Sequence, residues 1–375
     1  MEIYHSRKWS FDSPPEQAFE QAFAAAHDAK HGILMANGTV TLQAALIALG
    51  VGEGDEVIVP ALTWIATAMA ARYVGATPVF ADMNPNTLCL DPASVAAALS
   101  QRTKAIIPVH LYGSMADLDA IRELAGECGA AVIEDCAHMH GGKWRGRGVG
   151  TWGRIGSFSF QESKTMSSGE GGICITNDDE LADRLFRIKH IGYGRGTSQG
   201  GARTGPPTGL QCHNFRATAF QAAILSDQLE DLPQRLERYQ KTADVIRARL
   251  ADVPGVRVQS PGAEAGPQGF YTLPLLFDDP SWRKVTGGRL REIIVAEGLS
   301  LAASYGPVYR HKLFNLQPDQ YGMVAGGCPI AEELGSERTV CLPHPWLDAD
   351  EEDIKTVTTI VEKVARLGGE AFRGE

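Results

Sequence analysis

Short apolar segments alternate with segments of helical periodicity through the first half of the chain, and this alternation constrains the fold more than any other feature. Strands separated by helices can pair in parallel, and the helices then cover both faces of the sheet. The pattern predicts an α/β fold with a mostly parallel, seven-stranded sheet. The segments expected to form its strands are Gly32–Ala36, Glu56–Pro60, Pro78–Ala81, Lys104–Val109, Ala130–Glu134, Gly156–Phe160 and Gly172–Thr176.

The helices and the domain organisation follow from similar signals. Ser13 precedes two prolines and lies three residues before Glu16, a spacing typical of a capping box at a helix N-terminus. The segment 217–250 is expected to form one long helix or two consecutive ones. A chain of 375 residues exceeds one ordinary domain. We therefore expect a large domain over 1–245, which includes the N-terminal helix, and a smaller C-terminal α+β domain over 246–375.

Charge and cysteine spacing exclude several classes of function. The formal net charge of −10 gives no electrostatic attraction to nucleic acid or to an anionic membrane. We find neither an apolar run of membrane-spanning length nor an apolar signal segment at the N-terminus. The cysteines form no CxxC pair, so neither a metal site nor a disulfide framework is indicated, and a cytoplasmic location is expected. They are Cys89, Cys128, Cys136, Cys174, Cys212, Cys328 and Cys341.

Lys164 is the first candidate catalytic residue. It follows the apolar segment Gly156–Phe160 in a polar turn, and the glycine-rich segment Gly169–Gly172 comes after it. A solvated surface lysine is the simpler interpretation of this residue taken alone. At the mouth of an open α/β sheet, however, a partly desolvated amine loses its proton more easily and can form an imine with an aldehyde.

Asp135 and His138 follow another buried strand. A carboxylate there can keep a pyridine nitrogen protonated, which makes the pyridine ring an electron sink. His138, three residues further on, could hydrogen-bond a phenolic oxygen on the same pyridine ring. The alternatives are an acid that caps the next turn and a hydrogen-bonded core histidine.

The turn Asn37–Gly38–Thr39 is a candidate phosphate site. Backbone amides at the start of a helix attract anions, and glycine lets the backbone approach closely. Ser159 can add a second hydroxyl. Trp64 can stack its indole on a pyridine ring, with a core aromatic as the alternative.

In this order along the chain, these parts resemble the DegT/DnrJ/EryC1/StrS family of sugar aminotransferases, which have the aspartate-aminotransferase fold of type I. The resemblance covers nearly the whole chain. It is carried by three motifs, Glu134-Asp135-x-Ala137-His138, Ser157–Phe160 with Lys164, and Gly169–Gly172.

The resemblance implies pyridoxal 5′-phosphate as cofactor and a homodimer with shared active sites. The implied roles are a Schiff-base lysine (Lys164), a partner of the pyridine nitrogen (Asp135), phosphate contacts (Gly38, Thr39 and Ser159), a stacking aromatic (Trp64), a residue near the phenolic oxygen (His138) and an asparagine that reaches the phosphate of the neighbouring subunit (Asn214).

The segment around Lys164 is similar to the branch of the family that acts on aminocyclitols and related antibiotic precursors. This implies glutamine or glutamate as amino donor and a keto-cyclitol or keto-sugar as acceptor. Tyr305 and His311 resemble a substrate-facing segment of that branch. Arg195, Arg203 and Lys189 are candidates for binding the donor carboxylate, with solvated loop cations as the alternative.

Three other functions remain open at this point. One is an aminotransferase that acts on a nucleotide-linked keto-sugar. Another is a sugar dehydratase, although in those relatives a histidine typically replaces the lysine that Lys164 matches. The third is a non-catalytic binding protein, which the presence of both Lys164 and Asp135 argues against.

Overall fold

The computed structural model describes residues 2–197, 201 and 205–372. These residues form eleven α-helices and thirteen β-strands. The helices are α1 Glu2–Ser6, α2 Pro14–Ala26, α3 Gly38–Ala48, α4 Ile65–Tyr73, α5 Pro92–Ala98, α6 Leu118–Cys128, α7 Asp179–Lys189, α8 Ala219–Leu250, α9 Gly287–Ala296, α10 Pro329–Leu334 and α11 Glu351–Leu367. The strands are β1 His31–Met35, β2 Glu56–Pro60, β3 Thr77–Ala81, β4 Thr103–Ile106, β5 Ala131–Asp135, β6 Lys143–Trp144, β7 Arg147–Gly148, β8 Ile155–Ser159, β9 Gly172–Thr176, β10 Arg257–Val258, β11 Thr272–Leu276, β12 Gly322–Met323 and β13 Thr339–Pro343.

The main sheet has the order β1-β9-β8-β5-β4-β2-β3-β12. All seven predicted strands are present in it, and only β9 runs antiparallel to its neighbours. The C-terminal part of the chain contributes an eighth strand, because β12 pairs in parallel with β3. Strand β4 ends three residues earlier than expected, before Pro108, whose nitrogen cannot donate to the ladder. The mostly parallel α/β fold is confirmed.

The sheet is buried on both faces. Ile33 and Met35 of β1 belong to one hydrophobic cluster, and Leu34 between them belongs to the other. Because side chains alternate along a strand, the two clusters lie on opposite faces of the sheet. Helix α3 packs against the first cluster, whereas α2 and α8 contribute to the second. Burial on both faces is the reason that these strands are continuously apolar in the sequence.

Helix α8 links the main sheet to the C-terminal part of the chain. It is a single helix of 32 residues despite Pro233, which resolves the choice between one helix and two. It begins at a capping box in which the Thr218 N–H donates to Gln221 Oε1 at 2.8 Å. Strands β10, β11 and β13 then form a separate antiparallel sheet. The boundary expected at 245/246 falls inside α8 and stays a prediction.

The first predicted helix start is present in part. The Ser13 N–H donates to the Glu16 carboxylate at 3.3 Å, and α2 begins at Pro14. The Ser13 hydroxyl, in contrast, has no hydrogen-bond partner, so half of the capping box is formed. Among the described residues, no helix has both the length and the apolarity needed to cross a bilayer.

Candidate active site

A cavity of about 750 Å³ lies at the edge of the main sheet where β2, β5 and β8 end. We call it the strand-end cavity. Parallel strands place their carboxyl ends at one edge, which is where open α/β sheets bind ligands. The turn before α3, the N-cap of α4 and the loop between β8 and β9 all reach this edge. Among the residues that line it are Asn37, Gly38, Thr39, Trp64, Asp135, Ser159, Lys164, Glu170, Tyr271 and Tyr305.

Lys164 lies in the loop between β8 and β9, and its amine faces the cavity. Its Nζ is 4.3 Å from the centroid of the Tyr271 ring. The loop is held from behind, because the Thr165 hydroxyl donates to the Phe270 carbonyl at 2.7 Å and Arg235 donates to the Thr165 carbonyl at 2.9 Å. Burial lowers the pKa of Lys164 to about 8, while the carboxylate of Asp135 opposes the shift. A larger fraction of this amine is therefore uncharged near neutral pH than in a solvated lysine.

Asp135 ends β5 and is 4% exposed. Its Oδ2 accepts a hydrogen bond from the Thr67 hydroxyl at 2.9 Å, and its Oδ1 accepts one from the Ala137 N–H at 3.1 Å. Burial raises the pKa of this carboxyl, whereas the two hydrogen bonds and Lys164 lower it. The side chain is thus fixed in orientation, with the other lone pairs of its oxygens left for a ligand.

His138 is buried beside the cavity. Its ring stacks on Tyr271, with centroids 4.0 Å apart and planes 16° apart. Its Nδ1 accepts a hydrogen bond from the Tyr112 N–H at 3.2 Å. Burial lowers the pKa of His138 well below the ordinary value, and the charge of Lys164 acts in the same direction. The imidazole is neutral in this environment.

The turn before α3 has the form expected of an anion site. The Asn37 side chain caps the helix by accepting the Val40 N–H at 3.0 Å. A Cβ at Gly38 would lie 2.7 Å from Cβ of Ser159, so only glycine allows β8 to approach this closely. Thr39 and Ser159 both line the cavity at the N-terminus of α3, where backbone N–H groups lack intrahelical partners.

Three aromatic side chains cover the outer side of the cavity. Trp64 is 45% exposed, and its ring lies 6.1 Å from Tyr305 and 5.8 Å from His311. Tyr305 lines the cavity, whereas His311 reaches it only through Trp64. The two predicted substrate residues are thus brought together with the predicted stacking residue. Trp64 is a surface aromatic at a cavity mouth, not a core residue.

Arg195 and Asn214 do not line the strand-end cavity of their own chain. The Arg195 guanidinium lies 4.4 Å from the Phe186 ring. Asn214 is exposed, and its backbone forms an isolated antiparallel β-bridge with His190, the C-cap residue of α7. The structure therefore separates both residues from the other predicted site residues within one chain.

Lys189 is not a loop cation, and the expectation that it could bind a donor carboxylate is wrong. It ends α7 with its side chain fully buried. Its Nζ donates to Glu16 at 2.7 Å and to Glu20 at 2.9 Å, both on α2. The sequence places it next to a glycine-rich loop, but the amphipathic pattern of α7 turns it inward. Arg203 lies outside the described residues.

Two cavity residues escaped the sequence analysis. Tyr271 precedes β11, far from Lys164 in sequence, and contacts both Lys164 and His138. Glu170 precedes β9 and lines the cavity with a carboxylate. Glu170 belongs to the glycine-rich motif Gly169–Gly172, whose sequence does not indicate that its acid enters the cavity. No local signal distinguishes Tyr271 from an ordinary strand aromatic.

A group of potential metal-ligating atoms lies behind the site. The side chains of His110, Glu134 and Cys136 bring such atoms within 4.8 Å of one another. All are buried, and one oxygen of Glu134 accepts the Gly150 N–H at 2.7 Å while the other accepts the Gly153 N–H at 2.6 Å. These bonds make Glu134 a structural anchor for the turn before β8.

A family model for the DegT/DnrJ/EryC1/StrS aminotransferases matches residues 1–362. The chain belongs to this family. Its architecture is that of the fold type I aminotransferases, in agreement with the strand order and with the position of the strand-end cavity. The resemblance read from Asp135, His138 and Lys164 is therefore confirmed at the level of family.

Individual aminotransferases of known name are similar to this chain over nearly its whole length. An L-glutamine:2-deoxy-scyllo-inosose aminotransferase from Streptomyces paromomycinus is 37% identical, over 98% of this chain and 91% of that protein. A protein of the same name from Micromonospora echinospora is also 37% identical, over 97% of this chain and 90% of its own. A crystal structure of 3-amino-5-hydroxybenzoic acid synthase superposes with a TM-score of 0.87 at 31% identity, covering 96% of this chain and 94% of the other.

Proposed function

We propose that the protein is a pyridoxal-phosphate enzyme that transfers an amino group from glutamine to a keto-cyclitol during the formation of an antibiotic or related secondary metabolite. The observation that carries the proposal is the presence of Lys164 and Asp135 in one buried cavity. Burial lowers the pKa of the Lys164 amine to about 8, and the carboxylate is held by two hydrogen bonds. The glutamine donor and the cyclitol acceptor are those in the names of two relatives that are each 37% identical to this chain.

The residues of the strand-end cavity fit pyridoxal phosphate. The Ser159 and Thr39 hydroxyls and the first N–H groups of α3 would hold the phosphate, because that end of a helix is electropositive. Trp64 would cover a face of the ring. When bound, this cofactor supplies a ring that withdraws electrons from the reacting carbon.

The protein side chains supply proton transfer and orientation. Asp135 would keep a proton on the pyridine nitrogen, because a buried carboxylate stabilises a positive charge beside it. Lys164 is the residue that would hold the aldehyde of the cofactor, and its Nζ would also accept and return a proton during the transfer. His138, as a neutral imidazole, would hydrogen-bond the phenolic oxygen. Tyr305 and the carboxylate of Glu170, which line the cavity, would hydrogen-bond the hydroxyl groups of an acceptor.

The charge of the cavity favours a neutral acceptor over a nucleotide-linked sugar. Its charged side chains are Lys164, Asp135 and Glu170, and no arginine of the described chain lines it. A diphosphate would meet two carboxylates and a single amine that the aldehyde already engages. A keto-cyclitol carries only hydroxyl and carbonyl groups, which such a cavity can bind by hydrogen bonds.

We propose that the enzyme acts as a homodimer in the cytoplasm. The exposed position of Asn214, outside the cavity of its own chain, is what a residue that serves the neighbouring subunit requires. All seven cysteines are free, as in proteins of a reducing compartment.

A two-step spectroscopic experiment tests the proposed function. The chain is loaded with pyridoxal phosphate, and glutamine is added until the absorbance band of the bound aldehyde disappears. Ketones are then added one at a time, with 2-deoxy-scyllo-inosose and a nucleotide-linked keto-sugar as the two decisive compounds. We expect the cyclitol to restore the band and to appear as its amine by mass spectrometry.

Other outcomes would contradict the proposal in different ways. Restoration by the nucleotide-linked sugar alone would replace the acceptor and keep the aminotransferase chemistry. Formation of a deoxy-ketone with release of ammonia would indicate a dehydratase. A protein that takes up no pyridoxal phosphate would overturn the whole assignment.

A further inference from the structure

Tyr112 has an unusual backbone conformation directly behind the strand-end cavity. Its φ is 65°, in the left-handed region that side chains other than glycine seldom adopt, and the residue is fully buried. Residues in this region cost free energy unless neighbouring contacts hold them, and they concentrate at functional sites. The contacts of Tyr112 therefore indicate what this conformation serves.

Tyr112 is hydrogen-bonded to three aromatic residues of the site. Its N–H donates to Nδ1 of His138 at 3.2 Å, and its carbonyl accepts the Tyr271 N–H at 2.9 Å. Its phenolic oxygen accepts the Tyr305 N–H at 2.8 Å. The ring also lies nearly parallel to His138, with planes 16° apart. One residue thus fixes the positions of the imidazole and of two tyrosines that line the cavity, Tyr271 and Tyr305.

The bond to Nδ1 determines the chemistry of the imidazole. A nitrogen that accepts a hydrogen bond carries no proton, so a neutral His138 must carry its proton on Nε2. No hydrogen bond to Nε2 is formed by the described residues, and Nε2 is not among the buried polar atoms without a partner. It therefore keeps accessible surface. His138 offers a free donor beside Tyr271, whose ring also contacts Lys164.

We propose that Tyr112 is a positioning residue that holds His138 in the neutral Nε2–H tautomer, so that the imidazole offers a hydrogen-bond donor to an anionic oxygen in the strand-end cavity. The opposite tautomer would turn a lone pair toward that oxygen and repel it. The identity of the oxygen, the phenolate of pyridoxal phosphate, rests on the proposed function. The tautomer does not, because it is set by contacts within the chain.

His27 provides an internal control in the same molecule. Its Nδ1 lies 2.9 Å from the Phe23 carbonyl, which can only accept, and its Nε2 accepts the Gly141 N–H at 2.9 Å. His27 must therefore have the opposite tautomer, with the proton on Nδ1. Burial lowers the pKa of His27 to about 4, so this form persists at neutral pH.

The test is nitrogen NMR on the full chain labelled with ¹⁵N-histidine and ¹⁵N-tyrosine, without cofactor and then with pyridoxal phosphate. A His138→Gln variant identifies the His138 signals among the ten histidines. We expect His138 in the Nε2–H form, His27 in the Nδ1–H form, and a through-hydrogen-bond coupling between the Tyr112 amide nitrogen and Nδ1 of His138. A His138 proton on Nδ1, or an equal mixture of tautomers, would overturn the proposal.

Two variants separate the role of the Tyr112 backbone from simple packing. Tyr112→Phe keeps the backbone and the ring, so the His138 tautomer should not change. Tyr112→Ala removes the ring packing and the phenolic hydrogen bond that hold the left-handed backbone, which alanine by itself disfavours. The N–H should therefore move, and a second tautomer should appear while the His27 signal reports an intact fold. Pyridoxal phosphate should then bind about tenfold more weakly, the scale of one hydrogen bond to a charged group. A Tyr112→Ala protein with a pure Nε2–H tautomer would contradict the proposal.

These readouts also separate this inference from the proposed function. A chain with the expected tautomer that takes up no pyridoxal phosphate would support the role of Tyr112 and refute the cofactor. A chain that binds the cofactor with His138 in the Nδ1–H form would refute the role of Tyr112 alone.

Discussion

The amine of Lys164 and the carboxylate of Asp135 influence each other in one buried cavity. Burial lowers the pKa of Lys164 to about 8, so roughly one amine in ten is uncharged at pH 7. A solvated lysine has fewer than about one in a thousand uncharged under the same conditions. The nearby carboxylate limits the shift by favouring the charged amine. The reactivity of this residue is thus set jointly by desolvation and by one acid.

Removing the amine should abolish the chemistry. We expect Lys164→Ala to lose covalent capture of pyridoxal phosphate and to lower the transamination rate by roughly 10²–10⁴-fold or more, because one group serves as nucleophile and base. Borohydride reduction followed by peptide mapping measures the capture. Lys355→Ala removes an exposed lysine on α11 and should behave as the unaltered protein. A labelled peptide that does not contain residue 164 would contradict the assignment.

The pH dependence of capture tests the coupling between the two residues. Only the uncharged amine attacks, so the rate should rise about tenfold per pH unit up to a plateau near pH 8. Asp135→Asn removes the charge that raises the pKa of Lys164, so its plateau should begin at a lower pH. Stopped-flow absorbance after addition of pyridoxal phosphate measures the profile. Asp227→Asn, at an exposed position of α8, is the control; equal profiles for the two variants would refute the coupling.

At the scale of elements, the contact between α3 and β8 shapes the anion site. Gly38 begins α3, and the space that its Cβ would need is filled by Ser159 at the end of β8. The close approach places two hydroxyls at one helix N-terminus. The geometry of the proposed phosphate site thus depends on the absence of a single side chain.

A methyl group at this contact should separate the two elements. We expect Gly38→Ala to lower the free energy of unfolding by about 1–3 kcal/mol and to weaken binding of pyridoxal phosphate, because the backbone must shift to relieve the overlap. Gly126→Ala is the matched control. Gly126 lies inside α6 with open space around its Cβ position, so alanine should stabilise the helix by about 0.5–1 kcal/mol. Urea unfolding and cofactor titration measure both effects, and unchanged binding by Gly38→Ala would argue against the site.

The buried triad of Lys189, Glu16 and Glu20 connects α7 to α2. Lys189→Met leaves the carboxylates of Glu16 and Glu20 in the core without their cation. This should lower the free energy of unfolding by about 3–5 kcal/mol. Burial already raises the pKa of Glu20. A carboxyl whose pKa is raised in the folded state binds more protons there than in the unfolded chain. The loss of unfolding free energy in Lys189→Met should therefore grow as the pH rises from about 5 to about 8.

Unfolding at a series of pH values checks this prediction. Lys363→Met is the control, because Lys363 pairs with Glu297 at 2.6 Å on the surface. Loss of this pair should change the free energy of unfolding by only about 0–1 kcal/mol. A pH-independent loss for Lys189→Met would mean that packing, and not charge, explains the effect.

At the scale of the whole molecule, the proposed homodimer has a direct test. Lys164→Ala disables the site in its own subunit, whereas Asn214→Ala is expected to weaken the site of the neighbouring subunit. Equal amounts of the two variants, dissociated and reassociated, should recover about one quarter of the unaltered activity, because half of the dimers are mixed and each mixed dimer has one intact site. Failure to recover activity would mean that Asn214 contributes to the active site of its own chain.

Much of the architecture was accessible from local patterns. The strands around residues 33, 58, 133, 158 and 174 appeared where apolar runs predicted them, since burial on both faces leaves a continuous apolar signature. The eighth strand did not, because β12 is only two residues long and pairs through its backbone. The sequence predicted the extent of the helical segment that forms α8, but it did not indicate whether Pro233 would divide that segment into two helices.

The sequence by itself determined the set of chemical groups at the strand ends, Lys164, Asp135, His138 and the Gly38 turn, because each follows a strand whose apolar period is a local property. The tertiary structure alone decided their environment. Desolvation of Lys164, the inward turn of Lys189 and the meeting of Tyr112 and Tyr271 at His138 all depend on packing between segments far apart in the chain. Electric fields and hydrogen bonds act through space, and no local pattern records which distant residue will supply them.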